Sequence, residues 1–248
     1  MNTIIVIPAR YRSSRFPGKP LIKLLNKPMI QWVAELSSRV VGKEKVYIAT
    51  EDMKIQKAVT KMGYKVLMTS KNCLTGTDRL AEVAKKIKAD IYVNVQGDEP
   101  LVKPKDIKKV INLKKKYFND VINAYTLMKK GEDPKSKNYP KVIFTEDKRL
   151  IYISRQPLPG FKDLKNSRIN FYKQVCIYAF NRKELIAFRN FRRKSILEKH
   201  EDIEILRFLE LKKNIRLVET KSESVAVDIP ADINRAEASL SKLWFLKK

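Results

Sequence analysis

The stretch IIVIPARYRSSRFPGKPL, residues 4–21, ends a short apolar run at Pro8 and then gathers Arg10, Arg12, Arg15 and Lys19 with Ser13, Ser14 and Gly18. Cations and hydroxyls between a buried strand and a helix N-terminus suit an anion, and a polyphosphate above all, because the backbone amides there also point outward. The patterns GxxxxGK[ST] and GxGxxG are absent, so this is no Walker-type loop. A merely solvated basic loop is the alternative.

Three further clusters follow apolar runs. TGTDRLAE (Thr75 to Glu82) opens a helix that Thr77 or Asp78 can cap, with Arg79 facing the loop side. VNVQGDEP delivers Gln96, Gly97, Asp98 and Glu99 to a sheet edge. Asp98, opposite a basic loop, suits Mg²⁺ carried on a triphosphate, while Glu99 reads as a turn residue. In SVAVDIPAD, Asp228 stands just before Pro230 and is either the cap of the last helix or a second metal ligand beside Asp98. His200 is the single histidine and sits in a Lys/Glu-rich helix, where it reads as a surface residue. Cys73 and Cys176 form no CxxC pair and read as reduced thiols. Covalent and zinc chemistry therefore have little support. Charge neutralisation with a carboxylate-bound metal remains, which suits attack on a nucleotide phosphorus.

The elements that must carry these clusters alternate. IIVI, KVYIAT, YKVLM, DIYVNV and VINAYTLM read as strands, and segments of helical period lie between them. That order predicts an α/β fold with a mostly parallel sheet covered on both faces, and places function just beyond the strand ends. From about residue 131 the rhythm changes. KVIFT and LIYISR read as a hairpin, FYKQVCIYAF as a strand, SILEKHEDIEILRFLELKKN as one helix, IRLVET as a strand, and a last helix starts after Pro230. A single domain over 1–248 is expected, with about 131–195 as an inserted β-rich region.

The net charge of +26 raises the question of a nucleic-acid partner. Its lysines fall on the solvated faces of amphipathic helical patterns, and acids occupy the strand ends, which argues against a phosphate backbone. No apolar run approaches a membrane span and no signal-peptide pattern opens the chain, so no membrane partner and a cytoplasmic location are expected.

Taken in order, IPARYRSSRFPGKPL, YIATED, TGTDRLAE, VNVQGDEPL, ISRQPLP, YKQVCIYAF, EDIEILRFLE and VAVDIPADI resemble the 3-deoxy-manno-octulosonate (Kdo) cytidylyltransferases, or CMP-Kdo synthetases. The resemblance implies a nucleotidyltransferase fold, Rossmann-like and of GT-A type: a three-layer sandwich with a mixed, mostly parallel sheet. It implies a homodimer joined through the later region. It also implies transfer of CMP from CTP to the anomeric hydroxyl of Kdo with Mg²⁺, for lipopolysaccharide or capsule synthesis. Carried over, it places Ala9, Arg10, Ser13, Arg15, Lys19, Thr75, Arg79 and Gln96 on the nucleotide, with Arg10 and Lys19 on the triphosphate. Asp98 and Asp228 would hold the metal. Gln96, Arg155, Gln174, Tyr178 and Glu204 would face the sugar acid. Two positions depart from the family pattern. YKQVC has Gln174 and Cys176 where His and Gly are usual, and Arg12 stands where Gly is usual. The first departure opens an alternative substrate, a modified Kdo or another 2-keto-3-deoxy sugar acid.

Overall fold

The computed structural model describes residues 1–12, 16–160, 162, 170–221, 227 and 229–245. The opening apolar run forms β1 (Thr3–Ala9), buried throughout. A small ribbon, β2 (Lys23–Leu24) with β3 (Lys27–Pro28), leads into α1 (Met29–Val41). The expected alternation follows as β4 (Val46–Thr50), α2 (Met53–Lys61), β5 (Lys65–Met68), α3 (Gly76–Lys86), β6 (Ile91–Val95), α4 (Pro104–Lys116) and β7 (Val121–Leu127). The hairpin is β8 (Lys141–Phe144) with β9 (Leu150–Ser154). Then come β10 (Tyr172–Phe180), α5 (Arg182–Asn190), α6 (Ile196–Glu201), α7 (Leu206–Glu210), β11 (Ile215–Glu219) and α8 (Asp232–Phe245). Among the described residues, no helix is long and apolar enough to cross a membrane.

The main sheet runs β11-β7-β10-β6-β1-β4-β5. Every neighbouring pair on this path is parallel except those of β10, which is antiparallel to both β6 and β7. Alternate residues of β1 feed two cores. Ile4 and Val6 pack with Leu80 and Val83 of α3 and Phe188 of α5. Ile5 and Ile7 pack with Val33 of α1, Ile55 of α2 and Val110 of α4. Both faces are therefore covered, which is why the strands read as continuous apolar runs. Each fully buried Ile or Val contributes roughly 1.5–3 kcal/mol of transfer free energy.

Two expectations change. Thr75, not Thr77 or Asp78, is the N-cap of α3. Its hydroxyl accepts from Asp78 N at 3.2 Å and the Asp78 carboxylate accepts from Thr75 N at 2.9 Å, a reciprocal box that satisfies two orphan amides. The long helix expected after Ser195 is two helices, because Asp202 takes a left-handed conformation (φ 52°) and ends α6. Glu204 lies in the break. Within residues 131–195, β10 runs through the middle of the main sheet with Tyr178 and Phe180 in one core and Val175, Ile177 and Ala179 in the other, α5 packs on α3, and the β8–β9 hairpin joins the sheet through β10.

One buried guanidinium ties this corner together. Arg207 of α7 donates Nε and Nη2 to the two oxygens of Glu198 at 2.6 Å each, and Nη1 to Asp78 Oδ1 at 3.1 Å. The bidentate geometry offsets the cost of burying the charge, and removing the cation leaves two buried carboxylates without it. Arg207→Met should therefore lower stability by about 3 kcal/mol, read as a fall in the urea midpoint at unchanged slope; an unaltered midpoint would refute the role.

Candidate active site

The site is assembled where strand ends converge. β1 ends at Ala9 and hands the chain to Arg10, whose Nη2 donates to the Cys73 carbonyl at 2.9 Å. The basic loop closes on itself: Gly18, at φ 72°, donates its N–H to Tyr11 O at 2.8 Å. A left-handed residue there suits glycine. The next residue, Lys19, reaches Asp98 Oδ2 with Nζ at 2.8 Å. Asp98 is aimed at the loop by Gly97, since a Cβ at that position would stand 3.0 Å from the Pro8 carbonyl and 3.2 Å from Ile30 Cδ1. A side chain there would crowd β1, so glycine suits the turn after β6 that lies against it.

Glu204 joins the remaining walls. Its carboxylate accepts from Thr77 N at 2.9 Å, at the start of α3, and from Gln96 Nε2 at 3.1 Å, just beyond β6. Burial raises its pKa, and the hydrogen bond from the Thr77 amide opposes that rise. Tyr178 is buried at the same place, and burial holds its phenol protonated well above the usual range. Burial likewise pushes the pKa of the Cys176 thiol up.

Two cavities meet here. The larger, about 710 Å³, is lined by Arg10, Thr75, Gln96, Asp98, Arg155, Gln174, Tyr178 and Glu204 among others. The smaller, about 360 Å³, is lined by Ala9, Arg10, Arg12, Lys19, Gly97 and Asp98 among others. Arg10, Gln96 and Asp98 belong to both. A small pocket with three cations opens into a larger polar one across a carboxylate, which can bring a polyanion against a second, hydroxylated substrate.

The structure thus brings together Ala9, Arg10, Lys19, Thr75, Gln96, Asp98, Arg155, Gln174, Tyr178 and Glu204. Arg155 is pinned rather than free to swing: it donates to the carbonyls of Glu201 at 2.6 Å, Lys137 at 2.7 Å and Asp202 at 3.2 Å. Arg79 does not join them. It lies on the same helical face as Val83 and is 1 % exposed, with Nη2 2.5 Å from Glu51 and Nη1 donating to Thr69 Oγ1 at 2.6 Å. It lines neither cavity, because the capping box sets the phase of α3 and that phase turns residue 79 inward. Ser13, Arg15 and Asp228 lie outside the described residues. Arg12 is exposed and is not among the described residues with positive φ. His200 is exposed, and both cysteines are free.

Two contributors are absent from the sequence reading. Glu51, behind YIAT, is the counter-ion of Arg79. Asn123 is fully buried on β7 and accepts from Gln174 Nε2 at 3.0 Å. A lone amide amid VINAY was the available signal for the second.

A model of the cytidylyltransferase family matches residues 4–215. The 3-deoxy-manno-octulosonate cytidylyltransferase of Geobacter metallireducens is 41 % identical over 98 % of this chain and 99 % of its own. The chain belongs to the cytidylyltransferase family. Another relative, the 8-amino-3,8-dideoxy-manno-octulosonate cytidylyltransferase of Shewanella oneidensis, is 37 % identical over 97 % of this chain and 99 % of its own. A solved CMP:2-keto-3-deoxy-manno-octonic acid synthetase complexed with CTP superposes with a TM-score of 0.89 at 34 % identity, covering 98 % of this chain and 99 % of that one. The fold class expected from the motifs is thereby matched over essentially the whole length.

The burial of Arg79 has a direct consequence within this cytidylyltransferase fold. Arg79→Met strands Glu51 and should cost about 3 kcal/mol of stability, while the KM for nucleotide at a temperature where the variant is folded stays within twofold of wild type. A large rise in nucleotide KM without loss of stability would return Arg79 to the binding site.

Proposed function

We propose that the chain transfers CMP from CTP to the anomeric hydroxyl of 3-deoxy-manno-octulosonate, releasing pyrophosphate. The observation that carries this reading is the junction of the two cavities at Arg10, Gln96 and Asp98, with Lys19 on Asp98 at 2.8 Å. The smaller pocket takes the triphosphate and the larger takes the cytidine and the sugar acid. The sugar oxygen attacks the α-phosphorus, the bond to the bridging oxygen of the β-phosphate breaks, pyrophosphate leaves, and the hydroxyl proton passes to solvent.

The donor set fits Mg²⁺. Asp98 presents a hard carboxylate, its side chain 29 % exposed to the site. Val227 N donates to the Asp98 carbonyl at 3.1 Å, so the chain immediately before Asp228 is tied to this strand end. A carboxylate of this kind suits an ion held by one or two carboxylates together with substrate phosphates. Asp98 and Asp228 would hold it, and when bound it supplies charge neutralisation and a lowered pKa at the attacking hydroxyl.

The chain's own groups do the rest. Arg10 and Lys19 stabilise charge that builds on the departing pyrophosphate. Gln96 and Glu204, hydrogen-bonded to each other, form a rigid wall between nucleotide and sugar. Tyr178, kept neutral by burial, contributes a hydroxyl to the sugar side. No histidine base is required, in keeping with the exposure of His200. A homodimer agrees with β9, which pairs in the sheet with β8 and leaves Ile151 55 % exposed. The product would be made in the cytoplasm for lipopolysaccharide or capsule assembly.

A second reading, a modified sugar acid as acceptor, is favoured by Gln174 in the wall of the larger cavity. Pyrophosphate release with Mg²⁺ and each of the four nucleoside triphosphates, with and without Kdo, tests both. Release with CTP and Kdo together supports the main reading; release with CTP and only a modified sugar acid supports the second; release with no sugar acid present contradicts both. Asp98→Asn should lower kcat by at least about a hundredfold, with an unchanged far-ultraviolet circular dichroism spectrum; near-normal turnover would remove Asp98 from the chemistry.

A further inference from the structure

Asn123 solves a local problem on β10. In the ladder between β7 and β10, Val175 pairs with Ala124 and the next pair is Tyr178 with Asn123, so Cys176 and Ile177 have no partners on β7. A bulge of this kind takes backbone groups out of regular pairing, and buried carbonyls need another donor. Asn123 supplies it: Nδ2 donates to Val175 O at 2.9 Å and to Ile177 O at 3.2 Å.

That arrangement orients two side chains in turn. Carbonyls only accept, so the Asn123 amide can point only its NH₂ at the bulge, and Oδ1 must face the other way. Oδ1 lies 3.0 Å from the Gln174 amide, which must answer with its own NH₂. Gln174 therefore keeps Nε2 on Asn123 and holds Oε1 as the end of the amide offered to the 710 Å³ cavity that it lines. The chain of donors and acceptors leaves no second solution.

We propose that Gln174 is a specificity-determining residue that reads a hydrogen-bond donor of the sugar acid, a hydroxyl or an ammonium group, through an acceptor oriented by Asn123. The inference rests on the sugar-acid reading above and deepens it. A carboxylate is rejected at this atom, because two acceptors face each other there; the acid group of the substrate must lie elsewhere in the cavity. Asn123 touches no substrate and is a positioning residue.

Steady-state kinetics with Kdo and with its 8-amino-8-deoxy analogue test this. Gln174→Met keeps the length of the side chain and removes the acceptor. It should raise the KM for the sugar acid about three- to tenfold where the donor is neutral, and by several tens of fold where it is an ammonium, with the KM for CTP within twofold. An equal loss on both sugars identifies a hydroxyl common to them; a larger loss on the amino sugar identifies the ammonium. Asn123→Ala frees the Gln174 amide to turn, so it should raise the same KM, and combining it with Gln174→Met should add little further. If Asn123→Ala does not fold, Gln174→Met alone still decides. A wild-type enzyme that turns over while Gln174→Met keeps its sugar KM within twofold overturns the inference, as do multiplicative effects in the double variant. A wild-type enzyme that releases no pyrophosphate from CTP with either sugar fails the sugar-acid reading itself and takes this inference with it.

Discussion

The site depends on one buried cation. Arg207 lies between Glu198 of α6 and Asp78 of α3, and its partners cannot be satisfied unless α6, α7 and the first turn of α3 stand together. Asp78 is used twice over, since its carboxylate also closes the capping box with Thr75. Holding α7 against α3 sets the position of the break before it, and the break holds Glu204. From there Glu204 meets Thr77 and Gln96, so a charge network inside the protein fixes the wall on which two substrates would meet. The low-dielectric interior makes such a network strong when complete and costly when broken.

The second constraint is the direction of β10. Strands β1 and β6 end at the site, and a parallel neighbour could contribute only its last residue or two. β10 runs the other way, with Ile177 opposite Val95, so residues 173–176 extend past the end of β6. An antiparallel strand in an otherwise parallel arrangement thus supplies a run of side chains, Lys173 through Cys176, to the cavity. The bulge near Cys176 adjusts their aim, and Asn123 meets the bulge's hydrogen-bonding needs.

Charge is distributed with the same logic. Much of the lysine excess lies on exposed helix faces, but among the described residues Lys114 and Lys141 are fully buried. Lys114 pairs with Glu184 at 2.7 Å, and Lys141 donates to the carbonyls of Ser136 at 3.1 Å and Arg155 at 2.5 Å. Burial lowers the pKa of both, and the carboxylate partner of Lys114 works against that. Lys141 and the pinned guanidinium of Arg155 are therefore braces beside the larger cavity, built from the same residue types that elsewhere only solvate the surface.

What the sequence determined by itself was whatever depends on local pattern. Apolar runs of strand length alternating with helical periods specify a sheet covered on both faces, and the chemistry of such a sheet concentrates after its strands; Arg10, Lys19, Gln96 and Asp98 were legible for that reason. Side chains that act through partners distant in the chain were not. Arg79 follows a loop in the sequence yet is buried, because its direction depends on the phase of α3 and on Glu51. One helix was expected where two occur, since Asp202, left-handed at the end of the first, is also held by Lys194 and Arg155, contacts that local pattern does not reveal. The orientation of Gln174 depends on Asn123, 51 residues away, and on a bulge in another strand. Hydrogen-bond direction and burial are properties of pairs, and only the tertiary structure decides which residues become pairs.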